Sequence, residues 1–331
     1  MATFLHWVGA KELVGALLDR HGWEPMIPRA IGIACLLLLP AVAAFLAGFD
    51  DYARVAVVGA VLSYFMGSLA RPIARFGVLI PVVYAAAALT ASFTGGVAAL
   101  IVAIAAAAGA ASSLGYHRAL LAVLAAALIG SFEPASAPVV FGRTLGMFAG
   151  CLYGVVIVAT AGSGFASHPR AVEARTALSY SVLLAALVLM AWFTARVAAI
   201  EYAWWLPLTV AALGDPWFEG TPRRAVLRLA LALAGTLLVL AFFETMLDPL
   251  LRLAGAVVMI VALLAMGPRR AHWGGFLLTP TLVLLVAVDT EYAPAQFLEA
   301  TALAFAFVAV FTVLGRWVLW TLRPDTGHAV I

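Results

Sequence analysis

The sequence predicts an all-α integral membrane protein, with about twelve transmembrane helices arranged as two parallel six-helix repeats. Three observations carry that prediction. Of 331 residues, 65% are hydrophobic and only 11% are charged, with a mean hydropathy of +1.09. A soluble domain is about half apolar and about a quarter charged. The apolar residues fall into segments near bilayer length, which is roughly 20 residues for a helix. The basic residues alternate from side to side as those segments are crossed, as the positive-inside rule requires.

The first element is residues 1–27. "MATFLHWVGAKELVGALLDRHGWEP" is interrupted by Lys11 and Glu12, and no small-residue cleavage site follows, so it does not read as a signal peptide. Phe4, Val8, Leu13 and Leu17 recur near helical spacing. They suit either an amphipathic helix on the cytoplasmic interface or a short soluble helix.

Residues 28–163 form the first repeat, with spans expected near 28–49, 53–70, 74–93, 97–113, 118–133 and 139–163. A cytoplasmic linker follows at 164–176, within "GSGFASHPRAVEAR", where Gly, Ser and Pro replace the apolar residues. The second repeat, 177–322, has spans near 177–199, 202–215, 223–246, 249–266, 273–289 and 297–320. The segment 202–215 is too short to cross straight. Residues 323–331 are a cytoplasmic tail. With the N-terminus in the cytoplasm, only Arg54, Arg143, Arg196 and Arg252 fall on the outer side, and every other basic residue falls inside. The acids gather outside, among them Asp50, Asp51, Glu133, Glu201 and Glu299. Both termini are therefore expected in the cytoplasm.

The two halves echo one another. Tyr52 matches Tyr202 and Pro72 matches Pro222, both 150 residues apart, and His117 and His272 each open a fifth helix. Six spans per half is an even number, so the second half enters from the same side as the first. The repeat is then parallel, about an axis along the membrane normal.

Catalytic chemistry is not legible. There is no phosphate loop, no His-Glu metal motif and no Ser-His-Asp arrangement, so no cofactor, metal or enzymatic activity is expected. Cys35 and Cys151 sit in apolar segments and do not read as a disulfide or a metal pair. Lys11 is the single lysine, and the arginines lie at span edges. The basic balance therefore reflects membrane anchoring, with no nucleic-acid partner.

The chemistry-bearing stretch is "YAWWLPLTVAALGDPWFEGTPRRAVLRLALALAG", starting at Tyr202. Thr221 is an N-cap residue and Pro222 suits the first helical position. A helix should start there, with its free N–H groups and positive dipole end at the cytoplasmic face. Arg224 and Arg228 are four apart and share a face of that helix. Like charge there is costly unless an anion compensates it: a carboxylate substrate, a lipid phosphate, or Asp215 or Glu219. Asp215 precedes Pro216, which favours a helix break at that point. Arg75, just beyond Pro72 in the first half, is a further candidate. Trp204 and Trp205 suit an interfacial aromatic belt or stacking on an aromatic substrate.

This stretch resembles the signature of the fusaric acid resistance family and its aromatic acid exporter relatives. That signature runs Tyr-Trp-Ala-Pro-Leu-Thr-Val, then Thr-x-Arg-Arg-Ala-x-x-Arg. "HWGGFLLTPTLVLLVAV", starting at His272, is similar to the family's later Thr-Pro helix. The resemblance covers the second half well and the first in outline. It implies an inner-membrane bacterial exporter of organic anions, plausibly aromatic carboxylates, with Pro207, Leu208, Thr209, Arg224, Arg228, Thr279 and Pro280 at the family positions. Trp205, Asp215 and Arg75 complete the candidate set. Where the family has Gly-Thr, this chain has Leu231 and Ala232. Six-span plant relatives are dimeric anion channels, which makes a passive anion channel the first alternative. A membrane assembly or lipid-handling component without small-molecule flux is the second. Expected partners are a small organic anion and membrane lipid, with a homo-oligomer and a periplasmic adaptor as further candidates.

Overall fold

The computed structural model describes residues 27–46, 50–67, 73–91, 93–132, 136–161, 171–198 and 203–213, with parts of 230–241, 254–262 and 299–317. Eight α-helices are complete enough to name: α1 (Ile27–Leu46), α2 (Asp50–Gly67), α3 (Ile73–Thr90), α4 (Thr94–Ala110), α5 (His117–Phe132), α6 (Ala137–Ala161), α7 (Ala174–Val197) and α8 (Trp205–Leu213). They coincide with the first eight expected spans to within a few residues. No strand occurs among the described residues. Among the described residues, three stretches are long and apolar enough to cross a membrane: Gly95–Leu114, Ala137–Thr160 and Ala174–Val197.

In a soluble helix polarity separates the inner face from the outer. Here size and shape separate them instead. On α7 the inward face carries Ala177, Tyr180, Ser181, Leu184, Val188, Ala191, Trp192 and Ala195. Its exposed face carries Leu178, Val182, Met190, Phe193 and Val197. On α6 the exposed residues include Phe141, Leu145, Leu152 and Val156. Apolar residues on both faces are what lipid, rather than water, tolerates.

Helix directions follow from the residue pairs at each contact. The widest contact is α2 on α6. A Cβ on Gly150 would overlap the Ala56 carbonyl, and one on Gly154 would lie 2.5 Å from the Ala60 oxygen. Both numbers rise together, so α2 and α6 are parallel. Small residues let the two backbones meet, and dispersion contacts then replace the hydrophobic effect that is absent in lipid. Similarly, a Cβ on Gly130 of α5 would lie 2.6 Å from the Tyr84 oxygen of α3, near the C-terminal ends of both helices. Against α4, α7 runs antiparallel. Ser181 Oγ donates to the Ala106 carbonyl at 2.7 Å, while Val172 N–H donates to Ser112 O at 3.0 Å. Every one of these pairings agrees with a chain that reverses direction at each successive helix from α2 to α7.

One of these reversals depends on glycine. After α4 the chain tightens into a 3₁₀ turn, Ala111–Leu114, and Gly115 turns left-handed at φ 77°. Its N–H reaches Ser112 O, and Tyr116 N–H reaches Ala111 O. A side chain at Gly115 would strain that conformation.

Two apolar clusters fill the interior. One joins α3, α4, α5, α7 and α8, reaches Val55 of α2 and Met147 and Cys151 of α6, and also takes in Ala300 and Ala304. The other joins α1, α2 and α6. The helix α8 packs on α7 and also touches α5.

Candidate functional site

Two described regions concentrate polar groups within this apolar bundle. The first is α8, whose nine residues rise about 13–14 Å, less than half of a bilayer core of about 30 Å. Trp204 and Trp205 open it, 5% and 4% exposed. Their rings meet edge to face, with centroids 5.7 Å apart. The belt reading of these two tryptophans therefore gives way: both are core residues of the described bundle. Trp205 Nε1–H donates to Thr301 Oγ1 at 3.0 Å, and Thr301 itself is fully buried. That bond ties α8 to a helix nearly a hundred residues later.

One turn on, Thr209 lies on the same face as Trp205. It is 7% exposed, and its buried hydroxyl has no hydrogen-bond partner among the described residues. The buried hydroxyls of Ser63 and Ser112 share this condition, but most hydroxyls on these helices behave differently. Thr90, Ser131, Thr144, Thr160, Ser179 and Thr194 each donate to a carbonyl three or four residues back. In a medium without water this is how a helical hydroxyl satisfies itself. Thr209 does not use that route, which leaves a donor and an acceptor facing the interior.

The second region is the end of the bundle where α5 and α7 finish. Arg196, in the last turn of α7, donates from Nη2 to the Ser131 carbonyl of α5 at 2.6 Å. Its guanidinium carbon lies 4.7 Å from the Trp192 ring centroid and 5.4 Å from that of Phe132. Trp192 Nε1–H in turn donates to Ser131 Oγ at 3.2 Å. The sequence reading placed Arg196 only as one of four outer-side arginines. Its four-residue spacing from Trp192 was the signal available, since such pairs share a helix face. Nothing local in the sequence announced Ser131.

Of the candidate substrate-binding residues, the structure brings Trp205 and Thr209 together on one face of α8. Arg75 lies in the first turn of α3, and its side chain is outside the described set. Arg224, Arg228, Asp215 and Thr279 lie outside the described residues altogether. Among the described residues no group of His, Cys, Asp or Glu could hold a metal ion. Both cysteines are free, Cys35 exposed and Cys151 buried. Compared with protein-family models, with characterised proteins and with solved structures, the chain gives no significant match.

Proposed function

We propose that the chain is a bacterial inner-membrane exporter or conduit for small organic anions, with aromatic carboxylates as the substrate class. In this reading twelve spans form two parallel six-helix repeats, and both termini are cytoplasmic. The ends where α5 and α7 finish then face outward. The observation that carries the reading is the Thr209 hydroxyl. An unsatisfied buried hydroxyl costs about 1–3 kcal/mol. A hydroxyl that a passing carboxylate can bond in transit gives that cost a use. The half-length helix α8 supports the same idea, since short or broken helices mark substrate sites near the bilayer midplane. The resemblance of 202–235 to aromatic acid exporters supplies the substrate class, and the Arg224 and Arg228 helix mouth supplies the positive entry. Arg228 lies six residues beyond Pro222, about 9 Å along a helix. At such depth an arginine persists where it faces a partner or a wet cavity.

The test is flux of labelled benzoate and related carboxylates into proteoliposomes, with and without a pH gradient. Arg228→Ala should insert normally and lose at least about tenfold in flux, while Arg228→Lys should keep part of it, because charge survives without the bidentate fork. Arg223→Ala should change little. A pH gradient that drives accumulation marks a coupled exporter, and flux following only the anion's own gradient marks a channel. Wild-type flux from Arg228→Ala, with loss of fold in Asp215→Ala, would make the arginine an ion-pair strut and defeat the reading.

A further inference from the structure

The helices α5 and α7 do not pack closely along one another; both pack on α4 and α8. At their C-terminal ends, hydrogen bonds and ring contacts join them in one cluster. Trp192 Nε1–H donates to Ser131 Oγ, and the Ser131 hydroxyl donates onward to Leu128 O at 2.7 Å. Arg196 crosses from α7 to the Ser131 carbonyl, with its guanidinium over Phe132 and Trp192. The last carbonyls of both helices carry the negative ends of their dipoles, which offset the guanidinium charge. Among the described residues no carboxylate pairs with this guanidinium, and its charge is met by the Ser131 carbonyl, the two rings and the helix ends.

At its other end α7 is seated differently. A Cβ on Gly109 of α4 would overlap the Ser181 backbone, and Ser181 Oγ bonds the Ala106 carbonyl. Val172 N–H bonds Ser112 O just beyond. From Ser181 to Arg196 is about 22 Å along the helix. One end of α7 is fixed backbone to backbone. The other packs through buried Ala191, Trp192 and Ala195, and its hydrogen bonds across to α5 come from Trp192 and from the partly exposed Arg196, whose bond can be exchanged for water at the rim of the membrane.

We propose that this asymmetry is a pivot and a latch: α7 swings about the Gly109–Ser181 contact, and the Arg196 cluster with Ser131, Trp192 and Phe132 holds the outer ends of α5 and α7 together. As a gate for anions this rests on the transport reading; as a conformational device it does not. The latch sits at the end opposite the cytoplasmic arginines, so its release opens the exit side. Rocking of one helix set against another is how membrane transporters alternate access.

The test is a distance measurement on the full chain in lipid nanodiscs. Spin labels go on Ser136→Cys, just before α6 and four residues after α5 ends, and Val197→Cys, both at exposed positions, in a Cys35→Ser, Cys151→Ala background. The latched protein should give one distance. Arg196→Gln should add a second, longer population. Arg196→Lys, which keeps a cation for the rings but loses the fork, should add a smaller one. A single unshifted distance in Arg196→Gln overturns the latch; if that variant does not fold, a single unshifted distance in Arg196→Lys overturns it. Should distances lengthen while the wild type passes no carboxylate, the latch stands and the transport reading fails. Should the wild type transport while no variant shifts the distance, the latch fails alone.

Discussion

Thr209 and Trp205 sit one helical turn apart on α8, yet their polar groups have different fates. Trp205 spends its indole N–H on Thr301. Thr209 finds no partner for its hydroxyl among the described residues. This separates structure from function at the level of one oxygen. Thr209→Val keeps the branched shape and removes only the hydroxyl. Deleting an unsatisfied group does not lower stability, because its burial was a cost of about 1–3 kcal/mol. The variant should therefore melt at or above the wild-type temperature in detergent while carboxylate flux falls. A lower melting temperature with unchanged flux would mean that the hydroxyl has a structural partner in the working protein and no role in transport.

Among elements, the α2–α6 pair shows how this bundle holds together without a hydrophobic driving force. Gly150 and Gly154 lie against Ala56 and Ala60, and Gly59 lies against Met147. Each glycine in that seam marks backbone against backbone, where a neighbour cannot yield as the end of a flexible side chain can. Gly150→Ala must push α2 from α6 and should lower thermal stability by about 1–3 kcal/mol, the usual cost of overpacking. Gly95→Ala on α4 provides the control, because nothing lies within 4 Å of a Cβ there. It should be neutral, or stabilising by up to about 1 kcal/mol, from the better helix propensity of alanine. Thermal melting of both variants decides the matter; equal effects would remove the seam from the list of things that hold the bundle.

The whole molecule makes its own prediction through the direction of its helices. Phe93, between α3 and α4, and Ser136, before α6, lie at the end where α5 and α7 finish, and both are exposed. Glu173, before α7, is exposed at the opposite end. With cytoplasmic termini, a membrane-impermeant maleimide added to spheroplasts should modify Phe93→Cys and Ser136→Cys, in a Cys35→Ser background. Glu173→Cys should react only after the membrane is opened. The reverse pattern would invert the proposed orientation, and labelling of all three from one side would rule out the alternating passage.

The sequence by itself determined the helical class, the membrane setting and the places where helices begin and end, from α1 to α8. Those properties are local: an apolar run of sufficient length must hydrogen-bond its own backbone in lipid, and glycine, proline and charge mark its limits. It also marked Thr209, through resemblance, and Trp205, as an aromatic ring able to stack on an aromatic substrate. The tertiary structure decided what those residues touch. That Trp205 reaches Thr301, that Thr209 finds no partner among the described residues, and that Arg196 crosses to Ser131 depend on which helices are neighbours. In this chain apolar residues cover both inner and lipid-facing surfaces, so hydrophobic periodicity carries little information about neighbours. The choice of partner rests on shape instead: glycines that let α2 meet α6 and α4 meet α7, and a few polar atoms that must find one another where no water competes.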